Sequence, residues 1–441
     1  MKKHFRRFLL LVFALVFAAS AAGCEQILTE IPFLQGAQPT RTEPTATPDP
    51  IFTPLPQSTM TAETPVVDPY QITLWLPPEF DPENGTPAGS LLKQQLDQYA
   101  ADYPEFTLTV RIKAPDGEGG MLDSLTTASL AAPAVVPGIL IMPRSEFEKA
   151  ARAGLLMSID LSEFESEQAA YFPYANAMTL VKGTRYGVPF AGDALCMAYK
   201  PNEVAYPHTK WRELVQVNVK VTAFPASDPQ GLMQTLLYMS LGGDFGGDET
   251  RVNLDEPALQ QSLLLLSEGA SSNAFPTWLS DYMTFEQSWQ ALLNSNATYA
   301  VIWSSRYLAD QPEKITLANL PKWDELGFTL ADGWVLAFPQ TSAEQLADYQ
   351  RLAEYLLETE FQSAWTEAIG LIPVTETALS QWKNTAIAGV LQQVSLSAHP
   401  LPGNFVMNEI GAVFSQATIE MIRKQTTYIE SSNKILKVLA E

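Results

Sequence analysis

Between Gly36 and Pro69 the chain places eight Pro and eight Thr in 34 residues. Such a stretch cannot assemble a core, so folding is confined to the residues beyond it. Near the polyproline limit of ~3.1 Å per residue it acts as a stalk that can hold a domain up to about 100 Å from its point of attachment. The remainder, Tyr70 to Glu441, is 372 residues long. That exceeds the ~100 to 200 residues of one ordinary compact core and is a natural length for two lobes.

Upstream of the stalk, Lys2, Lys3, Arg6 and Arg7 precede an apolar run from Phe8 to Ala19 and the small residues Ala21-Ala22-Gly23. The run is shorter than the ~20 residues a spanning helix needs, so residues 1–23 read as a removable signal peptide. The block ending at Cys24 resembles a lipobox, with Ala21 where such signals usually carry Leu. By that resemblance Cys24 becomes the acylated first residue of a bacterial lipoprotein, with residues 24–69 as its linker. The expected location is the extracytoplasmic face of the cell membrane, held there by the lipid alone. An ordinary secretory peptide followed by a chance Cys is the competing reading. The pair Arg6-Arg7 is of a kind common in such regions and does not select the twin-arginine route.

Charge and cysteine usage narrow the classes further. The full chain carries a formal net charge of −22, and loss of residues 1–23 leaves 23 basic against 49 acidic side chains, a net of −26. Nucleic acid and anionic lipid are poor partners for such a surface. With Cys24 acylated, Cys196 has no intramolecular partner, and within Leu195-Cys196-Met197 it reads as a buried structural thiol. Only His208 and His399 remain beyond the leader, and neither His-Glu-x-x-His nor Gly-x-Ser-x-Gly occurs. Zinc and triad chemistry are therefore poorly supplied, and no catalytic residue, metal or cofactor is expected.

Periodicity predicts a strand at Ile72–Leu76, a helix through Leu92, Leu96, Tyr99 and Tyr103, and a half-buried strand in which Phe106, Leu108, Val110 and Ile112 alternate with Thr107, Thr109 and Arg111. Next in order are a helix over Met121–Leu130, a continuous apolar strand at Gly138–Met142 and a helix over Glu146–Ala153 ending at Gly154. Further helices are expected near 231–241, 256–266, 285–293 and 343–357, the last opened by a capping box of Ser342 and Gln345, with strands around Asp193 and 299–303. The alternation argues for α/β layers, each an open, mostly parallel sheet flanked by helices. The loop Gly242-Gly243-Asp244-Phe245-Gly246-Gly247-Asp248 lacks the residues of a phosphate or calcium loop and reads as a helix terminator.

Ordered short motifs give the chain its resemblance. They are Ile72-Thr73-Leu74-Trp75, Ala153-Gly154-Leu155-Leu156, Tyr186-Gly187-Val188-Pro189-Phe190 with Asp193 and Tyr199-Lys200, Trp211-Arg212-Glu213-Leu214, Tyr299 to Ser305, Gly333-Trp334 and Ile372-Pro373-Val374. In order and spacing they resemble the extracellular solute-binding proteins of ABC importers, in the sugar-binding group. The resemblance implies a two-lobed periplasmic-binding-protein-like fold of type II, a monomer, and a solute held between lobes that close by hinge motion. It places lobe 1 in residues 70–192 plus 305–361 and lobe 2 in 193–304 plus 362–441, with passages between them near Asp193, Ser304 and Phe361. The implied partners are a small solute, carbohydrate above others, and ABC permease subunits.

A sugar offers an apolar ring face and a rim of hydroxyls, so its receptor needs aromatic platforms beside charged or amide groups. Trp75 closes the first strand, Trp303 stands at a proposed passage with Arg306 three residues on, and Trp334 comes after Asp332-Gly333. Each of these Trp residues has a core-packing alternative. Asp193 is a ligand-hydroxyl acceptor or a turn or cap carboxylate. Glu79 is a ligand acid or a solvated loop acid. Arg144 binds a ligand oxygen or pairs with Glu146 or Glu148. Trp211, Trp365 and Trp382 read as structural. Two other functional classes compete: a lipid-anchored glycoside hydrolase, which would need two carboxylates in an aromatic cleft, and a surface sensor or adhesin using the same fold.

Overall fold

The computed structural model describes residues 70–440 except 161, 163–170, 217–219, 247–249 and 324–325. The signal peptide, Cys24 and the Pro/Thr linker lie outside the described residues. Among the described residues no helix is long and apolar enough to cross a membrane.

The chain opens with β1 (Tyr70–Leu76), α1 (Pro87–Asp102), β2 (Phe106–Ile112), α2 (Met121–Ala131), β3 (Ile139–Pro143) and α3 (Arg144–Arg152). Thr86 caps α1 by accepting from the Gly89 N–H, with Pro87 at the first helical position. β1 pairs parallel with β2 from Tyr70↔Phe106 to Leu76↔Ile112, and parallel with β3 at Leu74↔Ile139. This is the mostly parallel block that strand and helix alternation predicts. Period-two geometry splits its side chains between two buried clusters: Ile72, Leu74, Leu76, Ile139 and Ile141 face one, Trp75, Leu140 and Met142 the other. β3 therefore has no polar face and reads as an unbroken apolar run. Beyond α3, Gly154 takes φ +71°, the left-handed turn expected of it.

Next come α4 (Pro173–Ala177), the hairpin β4 (Leu180–Val181) and β5 (Thr184–Arg185), and the 13-residue β6 (Gly187–Tyr199). The hairpin turns on Lys182 and Gly183 at φ 52° and 77°, the paired positive values of a two-residue turn that matches strand twist. β6 is the structural spine. After it come α5 (Trp211–Gln216), β7 (Thr222–Ala223), α6 (Leu232–Ser240), α7 (Glu256–Ser272), α8 (Phe285–Leu293), β8 (Tyr299–Trp303), α9 (Ser304–Asp310), β9 (Thr316–Ala318) and β10 (Thr329–Ala337). Residues Gly187 to Ala194 of β6 pair antiparallel with β10, whereas Leu195 to Tyr199 pair with β8, and Met197 to Tyr199 also with β9. One continuous strand thus leaves the first sheet and enters the second at Asp193. Cys196 lies on its second part, fully buried, and burial pushes its thiol well above the ordinary value.

β10 carries the chain back, pairing antiparallel with β6 and with β3. α10 (Ala343–Leu356), opened by the Ser342/Gln345 capping box, and α11 (Thr359–Ile369) then add to the first half. A third passage is marked by reciprocal bonds between Gly192 and Ile372, both 2.8 Å. α12 (Glu376–Ser380), α13 (Thr385–Leu396), β11 (Ala398–Pro400), α14 (Asn404–Ile422) and α15 (Tyr428–Val438) complete the second half.

The three passages therefore lie at Asp193, Asp332 and Ile372. Ser304 is not a passage: it starts α9, and β9 beyond it still pairs with the end of β6, so α9 and β9 stay with the second half. Phe361 is not one either, because it lies within α11, its ring stacked 6.1 Å from that of Trp365 in the first core. Trp211, Trp365 and Trp382 are 1%, 0% and 3% exposed, the structural positions their sequence context indicates.

Candidate functional site

At the seam between the halves lies a cavity of about 260 Å³. α3 brings Arg144, Glu148 and Arg152 to it, spaced four residues apart on one helix face. Met178 and the β4–β5 hairpin contribute Leu180, Val181 and Lys182, while the second half supplies Gly246 together with Gly403, Phe405 and Val406 at the start of α14.

The two sides are stitched together at one edge of this cavity. Glu148, 5% exposed, accepts the Asn404 N–H at 2.8 Å and holds Arg152 at 2.8 Å. Gly403, the N-cap residue of α14, has no side chain to offer the first turn, so a carboxylate from the first half performs the capping. A Cβ on Gly403 would stand 3.0 Å from the Glu148 carboxylate, tighter than ordinary contact. Asn404 Nδ2 donates to the Ser145 carbonyl at 2.6 Å, and Arg144 Nη1 to the Pro402 carbonyl at 3.3 Å.

Of the seven residues singled out in the sequence, Arg144 alone lines this cavity. Trp75 is 2% exposed within the core, with Lys113 Nζ 5.1 Å above its ring. Glu79 is exposed, in the short turn Pro78–Phe80. Trp334 packs its ring 4.8 Å from Phe80, and Trp303, half-buried at the end of β8, meets Phe285 edge-on at 6.0 Å. Trp75 is buried in one cluster, against which Trp303 also packs, and Trp334 packs on the other. Arg306 is occupied by Glu286 and by Asp310 at 2.8 Å, its guanidinium 5.5 Å over Trp289.

Asp193 serves the backbone. Its carboxylate accepts from Ser304 Oγ at 2.6 Å, the Ser305 N–H at 3.0 Å, Ser305 Oγ and the Ala194 N–H at 2.9 Å, so it fastens the start of α9 to the passage strand. Burial pushes its carboxyl above the usual range against the pull of those bonds. Of the two roles open to Asp193 in the sequence, capping is the one these contacts perform.

Glu148, Arg152, Lys182, Gly403 and Phe405 carry no signal of a shared site in the sequence. The spacing Arg144, Glu148, Arg152 along one helix face is visible there, but nothing links it to residues some 250 positions away. Among the described residues no group of three or more His, Cys, Asp or Glu is placed to hold a metal ion.

The two α/β halves, joined at the three passages, have a two-lobed fold like that of the maltose-binding proteins. The chain belongs to the bacterial extracellular solute-binding protein family, whose model matches residues 95–389. That family consists of binding proteins, not enzymes. No curated protein matches the chain. Among solved structures it is similar to the sugar-binding protein MalE of Xanthomonas citri, at 16% identity and TM-score 0.67 over 84% of this chain and 97% of that one. It is also similar to the cyclic α-maltosyl-1,6-maltose binding protein of Arthrobacter globiformis, at 15% identity and TM-score 0.68 over 84% and 98%. UgpB of Mycobacterium tuberculosis, in complex with glycerophosphocholine, matches at 14% identity and TM-score 0.61 over 84% and 97%. At these identities the likeness is one of fold.

Proposed function

We propose that the chain is a lipid-anchored receptor on the extracytoplasmic face of the membrane that captures a small sugar-type solute at the seam cavity and delivers it to an ABC permease. Cys24 would carry the lipid and the Pro/Thr stretch would give the receptor its reach. The halves would move as lobes about the passages at Asp193, Asp332 and Ile372. The observation that supports this reading most is that both halves wall one cavity and are joined beside it by Glu148 with Asn404 and Arg144 with Pro402. A solute touching both walls binds the closed form better than the open one, and only such differential affinity can shift the equilibrium. The cavity offers one carboxylate, Glu148, among its described lining residues, whereas a glycosidase works with two. The test is thermal unfolding and small-angle scattering of the full chain across a panel of neutral and charged mono- and disaccharides. A bound sugar should raise the midpoint and reduce the radius of gyration; if none does either, the carbohydrate assignment is lost.

A further inference from the structure

The sheet of the first half ends in an open edge. Among the described residues β2 pairs with β1 alone, parallel and in unbroken register from Tyr70↔Phe106 to Leu76↔Ile112. At the two ends of that ladder the Tyr70 N–H donates to the Glu105 carbonyl and the Lys113 N–H to the Leu76 carbonyl, each at 2.9 Å, so the odd-numbered residues are the ones bonded to β1. The N–H and C=O groups of Leu108, Val110 and Ile112 therefore point away from β1. Phe106, the other even-numbered residue, gives its N–H to the Tyr103 carbonyl. Edge strands are commonly blunted by Pro, Lys or a bulge, and β2 has none of these. Its one charge, Arg111, stands on the face turned away from α1.

Between this edge and α1 runs a groove of about 560 Å³. Leu96 and Ala100 line its helix side and Leu108, Val110 and Ile112 its strand side, with Ile112 37% exposed. The rim is acidic: Asp81, Glu83 and Asp97 stand around Lys93, which is held by Glu83 at 2.9 Å and lies 3.7 Å from Asp97. The Glu83 and Asp97 side chains are 70% and 68% exposed, so both keep lone pairs for a second cation. Arg351, at the Phe106 end, lies over the Tyr103 and Phe106 rings and 3.5 Å from Asp348, and Lys113, at the Ile112 end, donates to Ser124. A small solute has no row of donors and acceptors at strand spacing to match this edge. A second copy of the chain is opposed by like charge, since each copy carries −22 and would bring its own acidic rim.

We propose that β2 is a docking edge for an extended, basic segment of a partner protein, which adds to the sheet as a further strand. Main-chain bonds to Leu108, Val110 and Ile112 supply the pairing, apolar side chains fill the groove beside Leu96, and cationic side chains reach Glu83 and Asp97. This surface shares no lining residue with the seam cavity, so it serves a second interaction rather than the solute.

The test is hydrogen exchange of the full chain, resolved to single amides, with a peptide of alternating valine and lysine as long as β2 and a counterpart of alternating valine and glutamate. In the free chain the Leu108, Val110 and Ile112 amides should exchange about tenfold or more faster than those of Thr109 and Arg111. The basic peptide should slow them by about tenfold or more, and its affinity should fall as NaCl is raised. Val110→Pro removes an outward donor and no bond to β1, and should weaken peptide binding by about tenfold. Asp97→Lys, at an exposed helix position, should weaken it severalfold with the unfolding midpoint near that of the parent. This second variant leaves the strand untouched, so it reads the surface even where Val110→Pro fails to fold. Absence of slowing by the basic peptide overturns the proposal, as does equal slowing by the acidic one or unchanged affinity in Asp97→Lys. Slow exchange at these amides in the free chain overturns it too: if it deepens with protein concentration a second copy occupies the edge, and if it does not the chain covers the edge itself.

Discussion

Asp193 and Asp332 stand directly opposite each other where β6 and β10 pair, at two of the three passages between the halves. Burial pushes both carboxyls above the usual range, and each negative charge would add to the strain on the other; Arg144 offsets part of this at Asp332. Asp193 spends its oxygens on Ser304, Ser305 and Ala194, whereas Asp332 accepts the N–H of its own neighbour Gly333 at 2.9 Å. The passage region therefore carries paired acids for two purposes: one ties the backbone of α9 down, the other stands near the Arg144 side of the seam.

The direction of these shifts sets a pH dependence. A carboxyl raised on folding is held protonated more tightly by the native chain than by the unfolded one. Its contribution to stability is full below the unfolded value of about 3.9 and is lost as pH rises through the folded value. Asp332→Asn retains an acceptor for Gly333 and cannot ionise. Its unfolding midpoint relative to the parent should therefore be higher at pH 7 than at pH 4. Equal differences at the two pH values would show that Asp332 carries no such burden.

Gly333 faces Gly192 across the same pair of strands, and its backbone needs no left-handed conformation. Glycine is required there by space: a Cβ on Gly333 would stand 2.3 Å from the Ala191 carbonyl oxygen. Gly333→Ala should cost about 1 to 3 kcal/mol in denaturant unfolding. Gly389 is the converse case, exposed within α13 with no atom within 4 Å of an added Cβ. Gly389→Ala should stabilise by roughly 0.5 to 1 kcal/mol, by removing backbone entropy from the unfolded chain. A loss of stability there would contradict the open space around it.

Much of the first half is legible in the sequence because its elements declare themselves locally. The apolar run of β3, the alternation of β2, the capping box at Ser342 and Gln345 and the stop at Gly154 all act within a few residues. The passages do not. Sequence context points to Ser304 as one of them because it comes directly after the apolar strand β8, yet the pairing that decides its place is formed by β9, a short strand with no strong periodic signal. The tryptophans show the same limit. Trp75 sits in a strand whose two faces are both buried, so its identity cannot tell core from cleft. Arg144 stands out because it comes just after a buried strand, but its wall of the cavity is completed by Pro402 to Val406, and only the folded topology brings those segments together.

Arg306 separates a surface role from a seam role. It lies on α9 with its side chain 28% exposed, between Glu286 and Asp310 and over the Trp289 ring. Those contacts hold Glu286 and Asp310 below the usual carboxylate range. Arg306→Ala should lower stability by about 1 kcal/mol or less and leave the affinity for any bound sugar unchanged. A large loss of affinity in this variant would move the binding surface away from the α3 side of the seam.

Glu148 provides the strongest test of the link between fold and closure. Its carboxylate caps α14 from the other half, so removing it strips the Asn404 N–H of its acceptor and Arg152 of its buried partner in one step. Loss of a helix cap alone costs about 0.5 to 2 kcal/mol, and loss of the Arg152 contact adds to it. If the halves separate as the proposed receptor function requires, part of this energy is lost by opening rather than by unfolding. Glu148→Ala should accordingly show a larger radius of gyration than the parent in the absence of any sugar, with a smaller fall in unfolding midpoint than a cap of the same strength within one half would produce. Glu148→Gln, which keeps an acceptor for Asn404 but not the charge for Arg152, should fall between the two. An Ala variant as compact as the parent and unfolding at a much lower midpoint would mean that the contact only stabilises the fold and does not govern how the halves meet.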